Sequence, residues 1–148
     1  MALILIVAHA PLASALQVLA GHAYAERAQQ VVAVDVAPGA QLADATAQVN
    51  EVLLAHAGSE VLVLTDAFGA TPCNAALAAV DGQRSRVVAG VNLPMLWRSL
   101  CYGELPLAEL VGRAADGGRQ GIMQIASPRR QNQQNWPCGD DPDTNPDQ

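Results

Sequence analysis

Apolar runs of five or six residues recur along the chain, at Leu3 to Val7, Val31 to Val36, Val61 to Thr65 and Val87 to Val91. They do not alternate apolar with polar positions as a half-solvated strand would, so they predict strands buried on both faces of a parallel sheet. The longer segments between them carry apolar residues at helical spacing. Pro11 to Leu19 predicts a first helix, with Pro11 at its first position and Gly21 beyond its end. In the second, Leu42, Ala45, Val49, Val52 and Leu53 form one stripe opposite Asp44, Gln48 and Glu51, and Gly58 follows. Thr71 is placed to cap a third helix, opened by Pro72 and ending at Asp81-Gly82. Pro94 to Tyr102 and Leu107 to Ala115 predict two more helices, and Gly121 to Ile125 a last strand. The expected architecture is α/β: a three-layer open sheet of four parallel strands in order 2-1-3-4, with helices on both faces.

Composition narrows the chemistry. The chain has 148 residues, enough for one core, and only five of them are aromatic against 28 alanines. The core is therefore built from small and branched aliphatics. All eight basic residues are Arg and the net charge is −6, which argues against nucleic acid as a partner. The absence of Lys removes a P-loop lysine, a Schiff-base lysine and a lysine general base. Cys73, Cys101 and Cys138 are far apart and match no zinc-site spacing, so no metal is expected. No Arg or Lys precedes Arg27, and His9 and Pro11 interrupt the first apolar stretch. A secretory signal and a spanning helix are both disfavoured, and a cytoplasmic location is expected. From Ser127 onward the chain turns polar, with seven Gln or Asn and four Pro in twenty-two residues. The expected organisation is one domain over 1–126 and a disordered tail over 127–148.

Ligands of open α/β sheets bind beyond the carboxyl ends of the strands, so the strand-to-helix turns carry the chemistry. Only the first and third turns hold an acid/base pair. Strand order 2-1-3-4 makes those turns neighbours and brings His9 to Asp66. A carboxylate on one imidazole nitrogen fixes the tautomer and exposes the other as a nucleophile. Two helix amino termini, after Pro11 and after Thr71, are expected to aim N–H groups into the same crevice, where a phosphoryl group would be held. No acidic cluster for magnesium and no glycine-rich nucleotide loop accompany them, so no cofactor is expected and direct use of ATP is disfavoured. His22 and His56 fall near helix carboxyl termini and are read as structural. Cys73 is read as a small buried hydrophobe.

The stretch Leu64-Thr65-Asp66-Ala67-Phe68-Gly69-Ala70-Thr71-Pro72-Cys73-Asn74, together with Gly90-Val91-Asn92-Leu93-Pro94-Met95-Leu96, resembles the IIA components of the mannose family of the bacterial sugar phosphotransferase system. The resemblance runs from about Leu3 to Ile125. It implies that His9 accepts phosphate from the histidine phosphocarrier protein and passes it to a histidine or cysteine of a IIB component, and that Asp66 orients His9. It also implies a homodimer in which a strand, here Gly121 to Ile125, is exchanged between subunits, with membrane contact only through transporter partners. Ala10, Gly69, Ala70 and Thr71 then surround the phosphoryl group, and Phe68, Asn92, Leu93 and Pro94 belong to the site loops or a partner surface. Three positions depart from the family's usual pattern: Ala10 where Gly is common, Ala70-Thr71 for Gly-Ser, and Cys73 for Phe. The first two add side chain beside the phosphoryl site. Two alternatives share the chemistry: a regulatory phosphoprotein without a IIB acceptor, and the phosphocarrier subunit of dihydroxyacetone kinase. A third reading, a ligand-binding α/β domain, has no covalent step.

Overall fold

The structure, a computed structural model, describes residues 1–125. The tail expected over 127–148 lies outside the described residues. The elements are β1 Leu3–His9, α1 Leu12–Ala23, a 3₁₀ turn at Ala25–Gln30, β2 Val31–Val36, α2 Leu42–Ala55, β3 Val61–Thr65, α3 Thr71–Ala79, β4 Ser85–Ala89, α4 Leu93–Cys101 and α5 Leu107–Gln120. The four strands are parallel in the order β2-β1-β3-β4, as expected.

Alternation along β1 explains why the sheet needs helices on both sides. Ile4, Ile6 and Ala8 face one way and pack with Leu62 and Leu64 of β3 against Ala13 and Leu16 of α1, Leu96 and Leu100 of α4, and Leu107 and Leu110 of α5. Leu3, Leu5 and Val7 face the other way and pack with Val61 and Val63 against Ala45 and Val49 of α2 and Ala75 and Ala76 of α3. Fully burying each branched side chain stabilises the fold by about 1.5–3 kcal/mol. That both faces are apolar is what forces the three layers. Among the described residues, no helix is long and apolar enough to cross a membrane.

Several boundaries differ from expectation, each for a local reason. β4 begins at Ser85 and ends at Ala89; Ser85 is buried with its polar atoms bonded to Asp81, and Arg86 lies half-buried on this edge strand. Gly90, at φ +91°, then turns the chain so that the Gly90 and Val91 amides donate to the Thr65 carbonyl. α1 starts one residue after Pro11 and runs through Gly21. α5 continues past Ala115, and its glycines mark close packing in place of a helix end. A Cβ on Gly117 would lie 2.6 Å from Cβ of Arg98, and one on Gly118 would lie 2.8 Å from Cε of Met95. Finally, Gly121 closes α5 and residues 122–125 form no strand in this chain. Ile122, Met123 and Ile125 are exposed.

Candidate functional site

Register places the first and third turns side by side. Val7 pairs with Thr65, so the next residues of both strands emerge together at the carboxyl end of the sheet. His9 is the last residue of β1, and its main-chain N–H donates to Asp66 Oδ2 at 2.9 Å. The same oxygen lies 2.6 Å from His9 Nδ1. The other oxygen, Oδ1, accepts the Ala67 N–H at 2.8 Å.

This arrangement determines the imidazole tautomer. A charged carboxylate only accepts, so the Nδ1 facing it carries the proton and Nε2 keeps its lone pair. The Asp66 side chain is 13% exposed and that of His9 54% exposed, which leaves the ring edge facing solvent. Partial burial pushes the Asp66 carboxyl up. The hydrogen bonds from the His9 main chain and ring and from Ala67 outweigh it and hold the group below the ordinary aspartate range.

The loop after Asp66 completes one wall. Phe68 is 85% exposed. Gly69 takes φ +84°, a conformation L side chains rarely adopt, and its carbonyl accepts the Asn74 side-chain N–H at 3.1 Å. Ala70, not Thr71, occupies the N-cap of α3, and no side chain caps this helix. Thr71 is therefore the first helical residue, and among the described residues its hydroxyl has no hydrogen-bond partner, where the sequence had assigned it to the cap. Cys73 is a buried free thiol.

The other wall is different. At the α1 end one of the first amides is already taken: Ser14 N–H donates to Asp35 Oδ1 at 3.1 Å and Ser14 Oγ donates to Asp35 Oδ2 at 2.5 Å. Sequence reasoning passed over Asp35. A signal was present, since Asp is depleted in strands and one set within Val-Val-Ala-Val-Asp-Val requires donors. Ala10 lies beside His9 and its N–H donates to the Val36 carbonyl at 3.0 Å.

The third group of residues, after β4, lies at the same end of the sheet but its polar atoms are committed to the fold. Asn92 caps α4 by accepting the Met95 N–H at 2.9 Å, and its Nδ2 donates to the Gly118 carbonyl at 3.0 Å. Pro94 packs against Gly121 so closely that a Cβ there would lie 2.2 Å from Pro94 Cγ. Leu93 remains 38% exposed. The structure thus brings His9 and Asp66 into contact at the carboxyl end of the sheet, where Ala10 and the Phe68–Thr71 loop continue their turns, with Asn92 and Pro94 supporting α4 and α5. Among the described residues no group of three or more His, Cys, Asp or Glu is arranged to hold a metal ion.

Known proteins resemble this chain in sequence and in fold. Residues 3–106 match the family described as PTS system fructose IIA component. Over 68 residues, 44% of this chain, the sequence is 40% identical to the PTS system mannose-specific EIIAB component of Escherichia coli strain K12. That stretch spans about a fifth, 21%, of the relative's length. Among solved structures, the chain resembles the mannose/sorbose specific IIA subunit of the phosphotransferase system from Enterococcus faecalis, with a TM-score of 0.79 and 25% identity, over 86% of this chain and 97% of that one. Phosphotransferase system component EIIA from Streptococcus agalactiae shares the fold, with a TM-score of 0.72 and 24% identity, over 84% of this chain and 97% of that one.

Proposed function

The chain belongs to the PTS system fructose IIA component family, and from that premise we propose that it carries a phosphoryl group on Nε2 of His9. The donor is the histidine phosphocarrier protein and the acceptor a IIB component in sugar uptake. The observation that carries this reading is the 2.6 Å contact between His9 Nδ1 and Asp66 Oδ2. It leaves Nε2 as the one basic atom of the ring that faces solvent.

In the transfer step the Nε2 lone pair attacks phosphorus, a new N–P bond forms, and the donor's imidazole leaves with the electron pair of the bond that breaks. His9 keeps its Nδ1 proton throughout. The positive charge that develops on the ring is balanced by Asp66, which needs no reorganisation because three hydrogen bonds already hold it. Phosphoryl oxygens lie toward the uncapped amino terminus of α3, within reach of Gly69, Ala70 and the Thr71 hydroxyl. Ala10 borders the same space. Phe68 and Leu93, exposed at the rim, serve as partner contacts.

On this reading the protein acts in the cytoplasm and its IIA domain covers 1–126, followed by the polar tail of 127–148. It works as a homodimer in which exposed Ile122, Met123 and Ile125 pair with the open edge beyond β4 of a second subunit. The test is incubation with phosphoenolpyruvate, Enzyme I and the phosphocarrier protein. One acid-labile, base-stable phosphoryl group per chain is expected, lost in His9→Ala. Label that persists in that variant, at His22 or His56, refutes the assignment.

A further inference from the structure

Asp35 stands on β2 next to the strand that ends in His9. It pairs in register with Ala8, one residue before His9, and it is the acidic interruption in a strand whose other residues are Val and Ala. Its two donors both come from Ser14, the third residue of α1. That helix has Pro11 at its N-cap, no side-chain cap of its own and no acid in its first turn. Asp35 therefore supplies from the adjacent strand what a local N-cap normally supplies: an acceptor for the third helical amide and a negative charge against the positive end of the dipole. The turn His9-Ala10-Pro11 runs between two carboxylates. Asp66 holds it from the β3 side through the His9 N–H and ring, while Asp35 holds its far end through Ser14 from the β2 side.

Resting on the reading of His9 as a phosphoryl carrier, we propose that Asp35 is a positioning residue for that reaction. A phosphoryl group carries between one and two negative charges and would be drawn to any uncompensated helix amino terminus nearby. Asp35 compensates α1, so the group on Nε2 lies toward α3 and is not held by a second helix end. The phosphohistidine is thereby kept ready to give up its phosphoryl group. Asp35 touches neither the ring nor the phosphoryl oxygens; it acts through Ser14 and the first turn of α1.

The experiment measures, by phosphorus NMR, the ratio of phosphorylated to free chain at equilibrium with the phosphocarrier protein. Asp35→Asn keeps an oxygen for Ser14 but removes the charge. The ratio should rise about two- to fivefold at low salt, the fold-change expected of one helix dipole acting on one nearby charge. The rise should shrink at about 0.5 M salt, where screening acts over a few ångströms. Glu104→Gln, which removes a charge beside Met1 at the other end of the sheet, should leave the ratio at the parent value. A second measurement needs no variant: on phosphorylation of the parent, the Thr71 and Cys73 amide signals should move and that of Ser14 should not. If the parent takes label at His9 while Asp35→Asn shows an unchanged or lower ratio, or Ser14 shifts as much as Thr71, the role of Asp35 is refuted and the carrier reading stands. If the parent takes no label, the carrier reading itself fails.

Discussion

Asp66→Asn probes the site with one atom changed. Asp66 accepts three donors on two oxygens: the His9 N–H at 2.9 Å and ring at 2.6 Å on Oδ2, and the Ala67 N–H at 2.8 Å on Oδ1. An amide has a single acceptor oxygen. Turned toward His9, it sets its NH2 against the Ala67 N–H; turned toward Ala67, it sets the NH2 against both His9 donors. The first orientation loses least, yet it replaces two charge-assisted hydrogen bonds with neutral ones. At about 1–1.5 kcal/mol for each replacement, the phosphoimidazole loses about 2–3 kcal/mol of stabilisation. With 1.36 kcal/mol per decade of rate, phosphorylation should slow about 10²-fold. Rapid-quench measurement of label transfer from the phosphocarrier protein gives the rate, and circular dichroism checks that the fold survives. A folded Asp66→Asn protein that transfers at the parent rate would remove Asp66 from the mechanism.

Three other outcomes are expected. The Asp81 carboxylate accepts the amides of Ser85, Gln83 and Arg84 and the Ser85 hydroxyl, bonds that hold its carboxyl down to about 2 from an ordinary 3.8. Because the folded value is the lower one, its contribution to stability is complete above 3.8 and is lost as pH falls toward 2. Asp81→Asn should therefore flatten the fall of the thermal midpoint across that window, and parallel curves for parent and variant would contradict the assignment. Gly117→Ala gains about 1 kcal/mol of helix propensity but forces a Cβ to within 2.6 Å of Arg98 Cβ, a clash that costs about 1–3 kcal/mol. Urea unfolding should show net destabilisation, and a more stable variant would mean that α5 can move away from α4 freely. Truncation after Ala126 should leave a dimer in sedimentation, whereas truncation before Gly121 should give monomer or aggregate; a soluble dimer without 121–125 would exclude that segment as the exchanged strand.

Legibility of the fold followed burial. β1 and β3 lie in the middle of the sheet and must be apolar on both faces, so β3 is legible to its limits and β1 to its start, while β1 runs two residues past the apolar run to His9, which is exposed. β4 opens with two polar residues, Ser85 satisfied by Asp81 and Arg86 half-buried at the sheet edge, and an apolar-run criterion starts it two residues late. The far end of α5 differs for a related reason. The expected helix stops at Ala115, short of Gly117 and Gly118, whose role is set by Arg98 and Met95, residues of another helix. Pro11, expected as the first helical residue, is the N-cap of α1, and Thr71, expected as a cap, is the first residue of α3, since cap geometry depends on how the preceding turn leaves the sheet.

The two carboxylates that flank the histidine turn show where sequence reading stops. Asp66 is 57 residues from His9, yet it is legible, because it stands in a strand-end turn and strand order alone makes such turns neighbours. Asp35 is only 21 residues from Ser14 and is not. Its function depends on which helix lies over one face of β2, and that is decided by the hand of the β1–α1–β2 crossover and not by the pattern of either element. The helix it serves gives no hint, because Pro11 offers no cap and the first turn carries no acid. A buried-strand carboxylate is thus to be paired, in reading a sequence of this class, with the uncapped helix amino terminus of the crossover beside it. Here that rule leads from Asp35 to Ser14, and from Ser14 back along the turn to His9.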